Sequence, residues 1–263
     1  MSIQNAIIST TNHLGLSDEG DLYMCLAWLC LEDENYKGFF KMRAAEGKFV
    51  MLDNGCNENK QVTNQELADL AVSMGLSEIV LPDTFRDIED TNRKLKDFIM
   101  SPNYAYTQKH NIKSMAVVQG STLLEAVDHF EFLLNLEEID TIGLGFDNYF
   151  TIDYPNKTQG GTITRLLLTQ ALEEKFGNQI PGDKVHLLGL FNPIELKYQK
   201  QYPWIRSNDS SSPILCGEHL LEFDEETGID VKPAQFLSFK AQLSRESINM
   251  AIDNIKILKS WSK

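Results

Sequence analysis

Polar residues and glycines recur at one kind of place in this chain, directly behind apolar runs. Asp53 follows Lys48–Leu52, Asp83 follows Glu78–Leu81 and Pro82, and Gln119 follows Ser114–Val118. Gly143 and Gly145 interrupt Thr141–Phe146, Gly189 closes Val185–Gly189, and Asp209 closes Trp204–Asp209. Two carboxylates brought to one rim suit general acid–base work or a covalent glycosyl intermediate: one attacks an anomeric carbon while the other manages protons. Glycosidase, isomerase and base-exchange chemistry all fit, and spacing alone does not choose among them. Glycines at such ends let a planar ligand lie on the backbone.

Each position also has a plainer reading. Asp53-Asn54-Gly55 is a turn sequence. Pro82-Asp83 can start a helix, Gln119-Gly120 can turn a strand into one, and Ser207–Ser212 can be a polar loop. His186, inside an apolar strand, reads as a core histidine, and His13 is given no role. The weight lies in the recurrence.

The elements that must position these residues alternate strand with helix. Strands are expected at Ala6–Thr11, Lys48–Leu52, Glu78–Leu81, Ser114–Val118, Thr141–Phe146, Val185–Gly189, Trp204–Asp209 and Gln235–Phe239. Helices are expected over Glu19–Arg43 with a break near Asn35, from an Asn64 cap through Met74, and over Ile88–Met100. Others follow from Ser121 or Thr122 through Leu134, over Gly161–Phe176, from Pro193, and over Ser244–Trp261. Asp224–Gly228 reads as a hairpin turn. Alternation specifies a parallel sheet, and about eight units ending in a helix favour closure over an open doubly wound sheet. The expected fold is an α/β, (β/α)8 TIM-type barrel, one domain over residues 1–263, with its active site at the C-terminal ends of the strands.

The chain has 263 residues, 42% hydrophobic and 24% charged, enough for one sizeable core. No apolar run approaches the roughly 18 residues that span a bilayer, and Met1–Ile8 lacks the features of a signal peptide. The expectation is a cytoplasmic protein (host cytoplasm if viral) with no membrane partner. Cys25, Cys30, Cys56 and Cys216 show no paired framework and read as reduced thiols. Cys216 and His219 supply two ligands where a structural zinc site needs four, so no metal and no cofactor is expected. A net charge of −14 argues against a basic, non-specific nucleic-acid binder but leaves room for a local basic patch.

In order, Leu52-Asp53-Asn54-Gly55, Pro82-Asp83, Val118-Gln119-Gly120, Gly143-Leu144-Gly145, Leu187-Leu188-Gly189 and Asn208–Pro213 resemble the tRNA-guanine transglycosylase superfamily. They are most similar to its short, virus-associated branch that places 7-deazaguanines in DNA. The likeness covers roughly residues 49 to 213. It implies base exchange: an aspartate attacks C1′ of a guanine nucleotide, guanine leaves, and a 7-deazaguanine such as preQ0 or preQ1 replaces it. It puts the nucleophile at Asp209 and the proton-managing carboxylate at Asp53. Asp83 and Gln119, with Gly120, would meet the base edge, and Gly143, Leu144 and Gly145 would present backbone to it, with Leu188 and Gly189 nearby. DNA is the implied partner, with Lys197, Lys200 and Arg206 as phosphate contacts, although a solvated helix face explains the lysines equally well. The sequence departs from the tRNA enzymes in two ways. Their Cys-x-Cys-x-x-Cys zinc extension is absent, which favours DNA or an accessory protein. Asp53 is followed by Asn-Gly-Cys rather than Ser-Gly-Gly-Phe-Gln. The alternatives are a tRNA base-exchange enzyme without the zinc module, a non-catalytic barrel subunit that binds a partner, and a carbohydrate-active barrel.

Overall fold

The computed structural model describes residues 2–56, 58–145, 157–190, 192–229, 233 and 237–263, with side chains in the 157–190 stretch from 162 onward. Its strands are β1 (Gln4–Ile7), β2 (Tyr23–Leu26), β3 (Val50–Asp53), β4 (Glu78–Val80), β5 (Lys113–Val117), β6 (Thr141–Gly145), β7 (Val185–Leu188) and β8 (Ile205–Ser210). They hydrogen-bond in the order β1-β8-β7-β6-β5-β4-β3-β2, and each described ladder is parallel. That order is the cyclic order of a (β/α)8 TIM-type barrel, the fold class expected from the sequence. Strand β2 is buried throughout, as is β3 up to Asp53, so their sequences are continuous apolar runs with no polar face, and β4 is buried too although it begins with Glu78.

Strands β3 to β8 lie at expected strands, whereas β1 shares only Ala6 and Ile7 with the expected Ala6–Thr11, whose last residue begins a 3-10 helix, Thr11–Glu19. Tyr23–Leu26 is a strand, where the sequence suggested part of a long helix. Helices α1 (Ala27–Glu32) and α2 (Glu34–Ala45) follow it, separated at Asp33, which caps α2 by accepting from the Asn35 and Tyr36 amides. Of the strand expected at Gln235–Phe239, residues 235 and 236 lie outside the described residues, and Leu237–Phe239 is not strand.

The chain divides into two compact units. In the unit Leu22–Gly143, β2 to β5 alternate with helices whose starts are written in local chemistry. Thr63 and Glu66 form a capping box before α3 (Asn64–Met74), and Thr122 and Glu125 form another before α6 (Leu123–Leu134). Asp87 caps α4 (Ile88–Ile99). Helix α5 (Pro102–Lys109), not expected from the sequence, begins with Pro at its first position.

The other unit joins Met1–Asp21 to Leu144–Lys263. It holds α7 (Lys157–Lys175), α8 (Leu196–Gln199), α9 (Ser212–Glu218) and α10 (Arg245–Trp261), the last capped by Ser244. Pro193 opens a 3-10 turn, Pro193–Glu195, that leads into α8. The hairpin turn at Asp224–Gly228 is present as an antiparallel bridge. Gly217 lets α9 touch α10: a Cβ there would stand 2.7 Å from the Ala251 Cβ and 2.8 Å from the Ser247 carbonyl oxygen. Beyond β1, the Asp21 amide donates to the Asn5 carbonyl at 2.7 Å. Asp21 Oδ2 accepts from the Asn5 amide and its Nδ2, both at 3.0 Å. Burial pushes the Asp21 carboxyl up, but these donors and the Lys259 ammonium outweigh it and hold it below the usual value. His13 has a structural task here: its Nε2 accepts from the Leu243 amide at 2.9 Å.

Candidate active site

Asp209 is the next-to-last residue of β8, and the ladder with β7 decides its surroundings. Val185 pairs with Ile205, but His186 pairs with Ser207, so Arg206 is an extra residue in β8. Past this bulge Ser207 and Asp209, two residues apart, share a face with His186. The His186 imidazole is fully buried and must find partners for both nitrogens. Nδ1 lies 2.8 Å from Ser207 Oγ, and Nε2 lies 3.2 Å from Asp209 Oδ1. The Gly189 amide, just past β7 and at φ +60°, donates to the same Oδ1 at 2.8 Å. Both contacts therefore fall on Oδ1, and Asp209 Oδ2 accepts no hydrogen bond among the described residues. The side chain is 13% exposed, so the carboxylate is oriented without being sealed.

Beneath this pair lies a buried ion pair that the sequence reading missed. Arg165 of α7 and Glu195 are both fully buried. Arg165 Nε and Nη2 donate to Glu195 Oε1 and Oε2 at 2.7 and 2.8 Å, a bidentate pair. Nη1 donates to the carbonyls of Leu144 (3.0 Å) and Leu188 (2.8 Å), and Nη2 to that of Gly189 (2.8 Å). All five N–H groups of the guanidinium are thus used. The side chain fixes the ends of β6 and β7, including the residue whose amide holds Asp209. Three residues expected to lie at the base, Leu144, Leu188 and Gly189, have their carbonyls accepting from Arg165. A signal existed: charged residues set in the apolar contexts Thr162–Leu168 and Pro193–Leu196 are seldom buried unless paired.

In the unit Leu22–Gly143, Asp53 ends β3, and its Oδ1 accepts from the Gly55 amide at 2.8 Å, the turn contact that Asp-Asn-Gly suggests. Gly55 is required, because its φ is +82° and a Cβ would come 2.7 Å from the Lys60 carbonyl oxygen. Asp83 is buried, and both its oxygens accept: Oδ1 from Asn54 Nδ2 at 2.9 Å and Oδ2 from Gln119 Nε2 at 2.8 Å. Burial raises the Asp83 carboxyl above its usual value, against the pull of these hydrogen bonds and of Lys94. Gln119 Oε1 accepts from the Arg86 amide at 2.8 Å. Asp83 and Gln119 therefore read each other in this structure. The α4 cap is Asp87, so Asp83 does not start that helix.

Gly120 is a packing glycine, since a Cβ would stand 2.8 Å from the Ala126 amide nitrogen. The Gln119 amide donates to His129 Nδ1 at 2.9 Å, which leaves the His129 proton on Nε2, 3.0 Å from Asn92 Oδ1. Burial lowers the His129 pKa to about 4. Gly143 is a ladder residue whose carbonyl accepts from the Val118 amide at 2.9 Å, and Gly145 ends β6.

The three cations expected to meet phosphate are not brought together beside Asp209. Lys197 donates to the Glu225 carbonyl and lies 5.6 Å from the Trp261 ring centroid. Lys200 is the exposed C-cap of α8, ahead of β8. Arg206 Nε donates to Ser207 Oγ at 3.0 Å, and its Cα lies three residues, about 10 Å, down the strand from that of Asp209. Cys216 is buried in α9 with His219 at the helix end, and no group of three or more His, Cys, Asp or Glu side chains suited to a metal occurs among the described residues. No helix among them is long and apolar enough to cross a membrane.

No family model and no curated protein matches the chain. Among solved structures it is similar to tryptophan synthase from M. tuberculosis in an open form with BRD0059 bound, at 11% identity and a TM-score of 0.45 over 81% of this chain and 84% of that one. A ligand-free form of the same enzyme gives 10% identity, a TM-score of 0.45 and the same coverage of 81% and 84%. A protein assigned as a fructose-1,6-biphosphate aldolase from Coccidioides immitis gives 12% identity and a TM-score of 0.44 over 92% and 76% of the two chains.

Proposed function

We propose that this chain is a base-exchange glycosyltransferase that replaces guanine in DNA by a 7-deazaguanine. One observation carries the reading: Asp209 has one oxygen pinned by two N–H donors and the other unengaged among the described residues. A carboxylate nucleophile needs this arrangement, because orientation fixes the line of attack while one oxygen keeps its lone pairs for carbon. In the first half-reaction Asp209 Oδ2 bonds to C1′ as the bond from C1′ to the base nitrogen breaks, and guanine leaves with the electron pair and a proton. In the second, a nitrogen of the 7-deazaguanine bonds to C1′, the bond to Oδ2 breaks, and the pair returns to the carboxylate. The motif resemblance gives the proton to Asp53 and the base edge to Asp83 and Gln119. These two would exchange their mutual hydrogen bond for equivalents on the base, which costs little when every polar group finds a new partner. The target nucleotide must be unstacked to reach a rim pocket. Because Lys197 and Arg206 are engaged within the protein and the net charge is −14, an accessory protein is the proposed source of the remaining phosphate contacts.

The test is release of labelled guanine from duplex DNA, single-stranded DNA and tRNA in the presence of a 7-deazaguanine base, with Asp209→Asn alongside. Release from DNA that disappears in the variant supports the reading. Release from tRNA alone transfers it to a tRNA enzyme without a zinc module. Release from none, with the chain alone and with proteins that co-purify with it, removes base exchange.

A further inference from the structure

We infer that His186 is a positioning residue that sets how fast the glycosyl–Asp209 ester is discharged; this rests on the base-exchange reading above. The hydrogen-bond chain has a direction. A guanidinium only donates, so Ser207 Oγ accepts the Arg206 Nε–H hydrogen bond at 3.0 Å and can turn its own hydrogen toward His186 Nδ1 at 2.8 Å. The ring proton then sits on Nε2 and points at Asp209 Oδ1, 3.2 Å away. That oxygen also accepts the Gly189 amide, which is fixed from behind by the Arg165 bond to the Gly189 carbonyl.

The two donors do not act equally on the two half-reactions. When Oδ2 bonds to C1′ and guanine departs, the charge of the carboxylate is lost and Oδ1 becomes an ester carbonyl. When the incoming base displaces Oδ2, the electron pair returns and the charge is again shared with Oδ1. The departing base takes a proton from the proton-managing carboxylate and the incoming base returns one, so the cycle balances. Hydrogen bonds to a charged acceptor are roughly twice as strong as those to a neutral one. Donors on Oδ1 therefore hold the carboxylate better than the ester and favour discharge. Removing the imidazole shifts the balance toward the covalent adduct.

The experiment uses the full chain, a guanine-labelled single-stranded DNA oligonucleotide and a free 7-deazaguanine base. Label release, base incorporation and the covalent protein–DNA adduct on a denaturing gel are followed for the unaltered chain, Asp209→Asn, His186→Phe, His186→Gln and Ser207→Ala. His186→Phe is expected to release label within a few-fold of the unaltered rate, to incorporate base about tenfold more slowly, and to accumulate adduct. His186→Gln, whose amide N–H replaces the lost donor, restores the ratio. Ser207→Ala keeps the ring but frees its tautomer, and moves the ratio the same way by a smaller amount; it serves if His186→Phe does not fold. An equal fall in both half-reactions with no added adduct, or a glutamine no better than phenylalanine, overturns the role of His186 and leaves base exchange standing. If the unaltered chain yields neither label nor adduct, base exchange itself falls and takes this role with it.

Discussion

Replacing Glu195 by alanine removes the only carboxylate bonded to the buried Arg165 among the described residues. The guanidinium keeps three carbonyl acceptors but loses two charge-assisted bonds, and its charge stays in a dry interior. Breaking one side of such a pair costs about 3–5 kcal/mol, where a surface pair costs about 1 kcal/mol or less. Unfolding entropy near the midpoint is about 2.1 cal/mol/K per residue, so 263 residues give about 0.55 kcal/mol/K. The expected fall in melting temperature is therefore about 5–9 °C, read by calorimetry or a far-UV circular dichroism melt. The double variant Arg165→Met/Glu195→Leu should fall by clearly less than the sum of the two single variants, since no charge is left buried. It should still lie below the unaltered protein, because the Leu144, Leu188 and Gly189 carbonyls lose their donor. A fall under about 2 °C for Glu195→Ala is what a solvent-screened pair gives, and would refute the description of this pair as sealed in the core.

Two further outcomes follow from packing and titration. His129 has its folded pKa lowered to about 4 from 6.5, so its contribution to stability is present above about pH 6.5 and is lost as pH falls toward 4, by about 3 kcal/mol in all. Asp83 acts in the opposite sense: its raised carboxyl contributes most at low pH, and that share is lost as pH rises. His129→Gln should therefore flatten the acid limb of a plot of melting temperature against pH, and an unchanged limb would assign it to other groups. Gly217→Ala forces a methyl to within 2.8 Å of helix α10 and should cost about 1–3 kcal/mol, a fall of about 2–5 °C in the same melt; an unshifted midpoint would mean that α9 and α10 move apart freely.

Helix starts were legible at several caps but not at Asp33, which opens α2 inside what the sequence suggests is one long helix. Ser244 and Thr122 sit where their side chains satisfy the first amides, whereas the α3 cap is Thr63, one residue before the expected Asn64. Strand β2 was not, because Tyr23–Leu26 is buried on both faces and runs straight into α1, so neither alternation nor a turn separates it from helix. Of the site, the strand-end positions of Asp53 and Asp209 were readable, since polar residues that stop apolar runs need no tertiary knowledge to be noticed. Their partners were not readable. That His186 meets Asp209 depends on a one-residue shift between β7 and β8, and the Arg165–Glu195 pair joins residues thirty positions apart. Asp83 and Gln119 were found as polar groups, but a list of polar groups does not reveal that they satisfy one another.

The shift in β8 also bears on how this strand tolerates deletion. Simple alternation from Ile205 would put Ser207 and Asp209 on its face, yet the ladder resets at Arg206 and turns them to the face of His186. Removing residue 206 would leave Val185 opposite Ile205 and His186 opposite Ser207, the pairings already present. The strand would keep these pairings and lose the guanidinium that donates to Ser207. The β7–β8 ladder does not count Arg206, so this residue can be lost without moving Asp209 along the sheet.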